Sequence, residues 1–399
     1  MSSKAMEETE RVETKEEEEI WSWGAGTEGQ LGTGKLQDEH HPQLIQYSLS
    51  SFCPISHLSC GGAHVIALTS GGRVLTWGRG TSGQLGHGEM VNCLHPKSLE
   101  SLEGIFITHA SAGWNHSGFV SDTGYVFTCG DGSFGQLGHG DYISRCSPEQ
   151  LFHFKTRHVQ QVACGMRHSL VLLKGDTEDL IYGFGSGKRG QLGISDDKQK
   201  LVSTPQVTLG FENVKIKSVT ANGDHSAAIS VNGHLYVWGR AFCRAPDVYR
   251  PRRVTTDLLF SQVALGWNHA LVLTCDGEVY ILGRYNYNVP TGAQNANMMK
   301  HISEDEGVMQ RVLDFDSTKV GQIGAGAEHS ALVTADNGSV MTWGWGEHGQ
   351  LGLGDTNDQT GPQVVSLIDE QSRKPCVGRV YCGSGFTFVV RTHTVNSSF

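Results

Sequence analysis

Two glycine runs carry the spacing of a dinucleotide-binding loop: Gly24-x-Gly26-x-x-Gly29, and Gly185-Ser186-Gly187-Lys188-Arg189-Gly190. Such a loop holds a pyrophosphate only between a strand and a helix, because the phosphate rests on the free N–H groups of the helix N-terminus. In both runs Gln-Leu-Gly and then loop residues follow instead. Lys188 does not make a phosphate loop either, since Arg189 stands where that loop needs a hydroxyl. The 19 histidines offer acid–base or metal chemistry. Six of them, His64, His116, His168, His225, His269 and His329, recur in Gly-x-x-His-Ser or a close variant. A residue that recurs in every copy builds the copy, so each of these is expected to hydrogen-bond the backbone of its own or a neighbouring unit. No Ser/His/Asp or paired-carboxylate arrangement stands out, and no Cys/His spacing suits zinc. The expectation is no catalytic residue, no metal and no cofactor.

The glycine runs are themselves repeats. Aromatic or Cys, Gly, x, Gly, x, x, Gly-Gln-Leu-Gly occurs from Trp23 to Gly32, Trp77 to Gly86, Cys129 to Gly138, Phe184 to Gly193 and Trp343 to Gly352. Trp238-Gly239 and Leu282-Gly283 are degenerate copies. The glycine after the first slot falls at 24, 78, 130, 185, 239, 283 and 344, which makes seven units. Midway between these marks lies the histidine motif, whose seventh copy, Gly383–Phe386, has lost its histidine. Apolar runs joined by turns follow each mark, as in Ala270–Leu273, Asp276-Gly277, Val279–Leu282. Short apolar runs joined by Asp-Gly or Asn-Gly read as β-hairpins, and glycine accepts the positive φ of the tight turns. Seven all-β units of this size predict a closed seven-bladed β-propeller. The last unit lacks the strand that ends in aromatic-Gly, whereas Ile20-Trp21-Ser22-Trp23-Gly24 is such a strand with no motif before it. The N-terminal strand is therefore expected to close the last blade.

Composition sets the limits. Glycine is 52 of 399 residues without collagen's strict period, and the repeats absorb much of it. No apolar run reaches bilayer-spanning length, and the N-terminus lacks a signal-peptide core. The expectation is a cytoplasmic or nuclear monomer with no membrane partner. The ten scattered cysteines form no Cys-x-x-Cys and read as reduced structural thiols. Net charge is −10, and the Glu-rich stretch from Glu7 to Glu19 is expected to be disordered and to avoid nucleic acid. The division expected is an acidic tail at 1–19, the propeller at 20–391 and a short tail at 392–399.

The two motifs recurring in phase over about residues 20–391 resemble the regulator of chromosome condensation repeat. The resemblance implies a seven-bladed propeller. It also implies one of three occupations: exchange factor for a small Ran-like GTPase, UV-B photoreceptor dimer, or scaffold. The photoreceptors carry Gly-Trp-Arg-His in three adjacent blades; this chain has Gly-Trp-Asn-His twice, at Trp114 and Trp267, three units apart. That separation is expected to prevent a tight aromatic cluster. The exchange factor adds a β-hairpin wedge and a basic tail, where this chain shows no clear early insertion and an acidic tail. The remaining expectation is a non-enzymatic scaffold that binds a protein partner, with a small GTPase as the alternative partner.

A specific partner must be read where the copies differ. The two residues before each histidine vary and fall on one face around the axis, which nominates Trp114, Asn115, Arg167, Asp224, Trp267, Asn268 and Glu328. The two tryptophans either anchor a partner or plug the central channel. Unit five loses Gly-Gln-Leu-Gly and gains Arg240, Arg244, Arg250, Arg252 and Arg253, a candidate patch for an acidic partner. Unit six departs longest, from Tyr285 to Gln310, and is expected to be a mobile loop.

Overall fold

The computed structural model describes residues 14–46, 54–175, 178–195, 201–242, 246–283, 299–301, 308–312, 318–367 and 377–396. These residues form seven antiparallel sheets, numbered here as blades 1 to 7. Blade 2 sets the pattern: an inner strand Ile55–Cys60, a second His64–Thr69, a third Val74–Gly78 and an outer Cys93–Ser98. Blades 3 (107–150), 4 (159–207), 5 (216–253), 6 (260–311) and 7 (320–364) repeat it. The seven inner strands line one axial channel.

Ring closure follows the expectation. Blade 1 is built from both ends of the chain: Val377–Cys382, Phe386–Asn396, Thr14–Gly24 and Glu39–Leu44. The two long strands pair without a break from Thr14↔Asn396 to Gly24↔Phe386. Pairing thus runs past residues 20 and 391, the expected limits of the propeller, on both strands. Arg379 fastens blade 1 to blade 2 by donating to Glu18 Oε1 at 3.0 Å and to the carbonyls of Ile55 and Ser56 at 2.7 Å.

Apolar packing lies between blades. Six second strands, such as His168–Leu173, are buried at every residue, because a neighbouring blade covers each face. Trp77 of blade 2 packs with Phe386 and Phe388 of blade 1, and Trp23 of blade 1 with Ala331 and Val333 of blade 7.

A propeller still exposes sheet edges, and two devices cover them. At the channel, a polar side chain of one blade takes the spare N–H of the next inner strand. Ser59 Oγ accepts from Ala112, Ser111 Oγ from Cys164, Gln161 Oε1 from Val219, Gln262 Oε1 from Ile323 and Gln322 Oε1 from Val380, at 2.9–3.2 Å. At the rim, six outer strands carry a proline: Pro42, Pro96, Pro148, Pro205, Pro251 and Pro362. Proline has no N–H to offer a further strand, so it belongs on edges. Blade 6 is the exception at the rim. Met309 holds the proline's register position, as Ile281↔Gln310 against Thr76↔Lys97 shows, and a fifth strand, Met299–His301, pairs onto Val308–Arg311. The stretch expected to be a mobile loop therefore contains a hairpin, because nothing blocks that edge. The rest of the stretch, with Tyr285, lies outside the described residues.

Candidate functional site

The recurring motifs join one blade to the next. In blade 2 the Gln84 side chain accepts the Ser82 N–H at 2.9 Å, which folds the loop and turns the Gln84 carbonyl toward blade 3. That carbonyl accepts the Ser117 hydroxyl at 2.7 Å. Gln191 O accepts both Ser226 Oγ (2.7 Å) and Trp238 Nε1 (2.9 Å), and Gln350 O accepts Thr387 Oγ1 and Trp23 Nε1, each at 2.9 Å. Where a hydroxyl residue follows the histidine slot it is thus an acceptor post for the preceding blade's ring: His64 Nε2 lies 2.9 Å from Ser117 Oγ, His116 2.9 Å from Ser169, His168 3.0 Å from Ser226, His269 3.0 Å from Ser330, and His329 2.9 Å from Thr387, which follows Phe386. The expected backbone partner is therefore corrected. Five of the six rings bond a side-chain hydroxyl, and His225 alone bonds carbonyls, those of Trp267 and Arg240. The reason is local: blade 6 has Ala270 where blades 3, 4, 5, 7 and 1 offer Ser117, Ser169, Ser226, Ser330 and Thr387.

This wiring also fixes the chemistry of the rings. Ser117 spends its one proton on Gln84 O, so His64 Nε2 must be the donor and Nδ1 carries the lone pair. That lone pair faces Gly61, where an added Cβ would sit 2.9 Å from Nδ1. Burial above all pushes His64, His168 and His329 down to about 3, and His116 and His269 to about 4. The rings are neutral and enclosed near pH 7. Among the described residues no cluster of three or more His, Cys, Asp or Glu could hold a metal. The seven described cysteines are free thiols.

The histidine turns and the glycine loops lie on the same face, called here the loop face. There the residue after each aromatic-Gly donates its N–H to the residue before the histidine: Arg79 to Ala63, Asp131 to Asn115, Ser186 to Arg167, Arg240 to Asp224, Trp345 to Glu328, at 2.7–3.0 Å. Trp114, Asn115, Arg167, Asp224, Trp267, Asn268 and Glu328 thus ring the channel mouth. Trp114 and Trp267 meet across the axis with ring centroids 5.3 Å apart and planes at 45°. Their separation in sequence does not keep them apart, which corrects that expectation: the channel is narrow enough for two indoles from blades 3 and 6 to reach each other. The preceding blade makes room for each. A Cβ at Gly62 would lie 2.9 Å from the Trp114 ring, and one at Gly223 3.4 Å from Trp267 Cδ1. Beneath them is a channel cavity of about 310 Å³. His57 and Tyr381 pack edge to face in its wall, and burial lowers His57 to about 4.

Around the mouth, Arg167 stacks over Phe134 at 4.7 Å, Asp224 accepts from Gln191 Nε2 at 3.0 Å, and Asn268 Nδ2 reaches Glu328 Oε1 at 3.4 Å. Arg240 is exposed beside His225, whose ring is sandwiched on Phe242 at 4.3 Å. Arg250, Arg252 and Arg253 are not at the mouth. They lie exposed on the outer strand Val248–Arg253, so the structure splits the arginine set between mouth and rim. Arg244 lies outside the described residues. Sequence reasoning missed Trp345, half-buried at the mouth and edge-on to His348 at 5.3 Å. Its signal was available: the slot after aromatic-Gly varies as freely as the pair before the histidine.

Comparison with known proteins adds a frame to this geometry. The model of the RCC1-like domain matches residues 19–389. The chain is 33% identical to the ultraviolet-B receptor UVR8 of Arabidopsis thaliana over 84% of its own length and 74% of the receptor's. It is 30% identical to the secretion-regulating guanine nucleotide exchange factor of Mus musculus, over 93% and 83%. Prp20p of Saccharomyces cerevisiae, solved in a study of its binding to Gsp1p and histones, superposes with a TM-score of 0.78 at 23% identity, covering 96% and 92% of the two chains, and shares the fold.

Proposed function

The chain belongs to the RCC1-like domain family, and from that premise we propose that it is a non-enzymatic interaction scaffold whose loop face receives a protein partner. One observation carries the reading. The motif residues are consumed in joining blades, while the departures from the motif gather at the channel mouth and on blade 5. There the tryptophan pair is half-buried, and Arg167 and Arg240 are exposed. Rigid aromatics beside exposed arginines make the usual anchor of a protein interface. The repeat histidines are enclosed and neutral near pH 7, which withdraws them from acid–base catalysis.

A second reading is supported by the mouse relative, named an exchange factor and similar over 93% of this chain. An exchange factor holds its GTPase best without nucleotide. Affinity capture from cell extract with and without GTP separates the two. A small GTPase that is retained and then released by GTP supports exchange; partners indifferent to nucleotide support the scaffold. Arg250→Glu, Arg252→Glu and Arg253→Glu together should abolish capture with the melting curve unchanged. Intact capture by that variant removes the blade 5 arginines from the interface.

A further inference from the structure

The outer strand of blade 5, Val248–Arg253, ends in Arg252-Arg253, and Val254-Thr255 follow it directly. Val254 is buried and donates its N–H to Leu235 O at 2.8 Å, which pins the segment, while Arg252, Arg253 and Thr255 on either side of it are exposed. Thr256 differs: it is half-buried, and its hydroxyl oxygen accepts the Leu258 N–H at 3.2 Å. The strand is the open edge of a four-stranded sheet, and Pro251 leaves no outward N–H there for a further strand to use. Such an edge peels locally at low cost.

We propose that Thr255 is a phosphorylation site for a serine/threonine kinase that recognises two arginines just upstream. Arginines two and three residues before a hydroxyl suit a kinase cleft lined with carboxylates, because each guanidinium makes charge-assisted hydrogen bonds there. In the transfer, a base of the kinase takes the Thr255 Oγ proton, and a bond forms from Oγ to the γ-phosphorus of ATP. The bond from that phosphorus to the β,γ-bridging oxygen breaks, and ADP leaves. The product carries a dianionic phosphate within three residues of Arg252 and Arg253. Arg253 now contacts His234 Nδ1 at 3.1 Å and would exchange that partner for the phosphate. The dianion would offset two of the three positive charges on this edge of blade 5. The effect on partner capture rests on the reading proposed above; the phosphoryl transfer does not.

The test treats the full chain with MgATP and the catalytic subunit of the cyclic-AMP-dependent protein kinase, followed by mass spectrometry of the phosphopeptide. One phosphate on Thr255 is expected, lost in Thr255→Ala, retained in Thr256→Ala, and slowed roughly tenfold in Arg252→Gln or Arg253→Gln. A folded chain that takes no phosphate, or takes it on Thr256 or elsewhere, overturns the proposal. If Thr255 is phosphorylated and captured partners stay bound, the modification stands and the arginine edge as a docking surface falls.

Discussion

His64, His116, His168 and His329 are each held in one neutral tautomer by a hydroxyl already committed to a glutamine carbonyl, and this makes acid the natural way to loosen the ring. Burial lowers the folded values to about 3 or 4 for His64, His116, His168, His269 and His329, against about 6.5 in an unfolded chain. The unfolded state therefore takes protons first as pH falls. The stability these rings confer is whole above about pH 6.5 and is lost progressively toward about pH 4. Urea midpoints measured from about pH 7.5 down to about pH 5 should fall steadily; a flat profile would show that the rings are protonated or open. Trp77→Ala should cost about 3–5 kcal/mol, read as a drop in urea midpoint, because the indole fills the joint between blades 1 and 2. At this scale the sequence shows which residues recur but not what they touch. His-Ser reads as one motif, yet the histidine serves one joint and the serine the one before it. The contact of Trp114 with Trp267 was hidden for a similar reason: it depends on channel width and on Gly62 and Gly223, neither of which neighbours the tryptophan it accommodates.

The strands were legible because their signal is periodic and their turns are marked by glycine. Less legible was how the units cooperate. Blade 5 loses Gly-Gln-Leu-Gly, and three further positions change with it: its own third strand has Val237 where blades 2, 3 and 7 have a threonine reaching the loop, and blade 6 has Leu282 and Ala270 where a tryptophan and a serine would use the missing carbonyl. Each change removes a polar group that would otherwise be buried without a partner. Degeneracy in blades 5 and 6 is thus one linked event and not scattered drift. The rim prolines support a separate prediction. Pro96→Val with Pro148→Val restores a donor to two exposed edges, and light scattering should then report self-association rising with concentration. Particles that remain monodisperse would show that the prolines do not guard the edge. The same logic accounts for the fifth strand of blade 6, which no composition argument anticipates, since a missing proline is visible only once the register is known.

At the scale of the ring, closure holds the first and last blades' worth of sequence in one sheet. Deleting residues 20–24 removes the C-terminal half of the third strand of blade 1 together with Trp21 and Trp23, both buried against blade 7. The truncated chain should melt at markedly lower temperature and lose its near-ultraviolet tryptophan signal; an unchanged melting temperature would refute the closure. The pairing of Gly24 with Phe386 also has a timetable. A ribosome adding about 5–20 residues per second needs roughly 20–70 s to travel between those two residues. Throughout that interval the first strand is a finished, tryptophan-bearing segment with no lawful place to go, while six blades assemble beside it. Whatever shelters it during synthesis, whether a holdase or the nascent neighbours themselves, sets the yield of the intact ring.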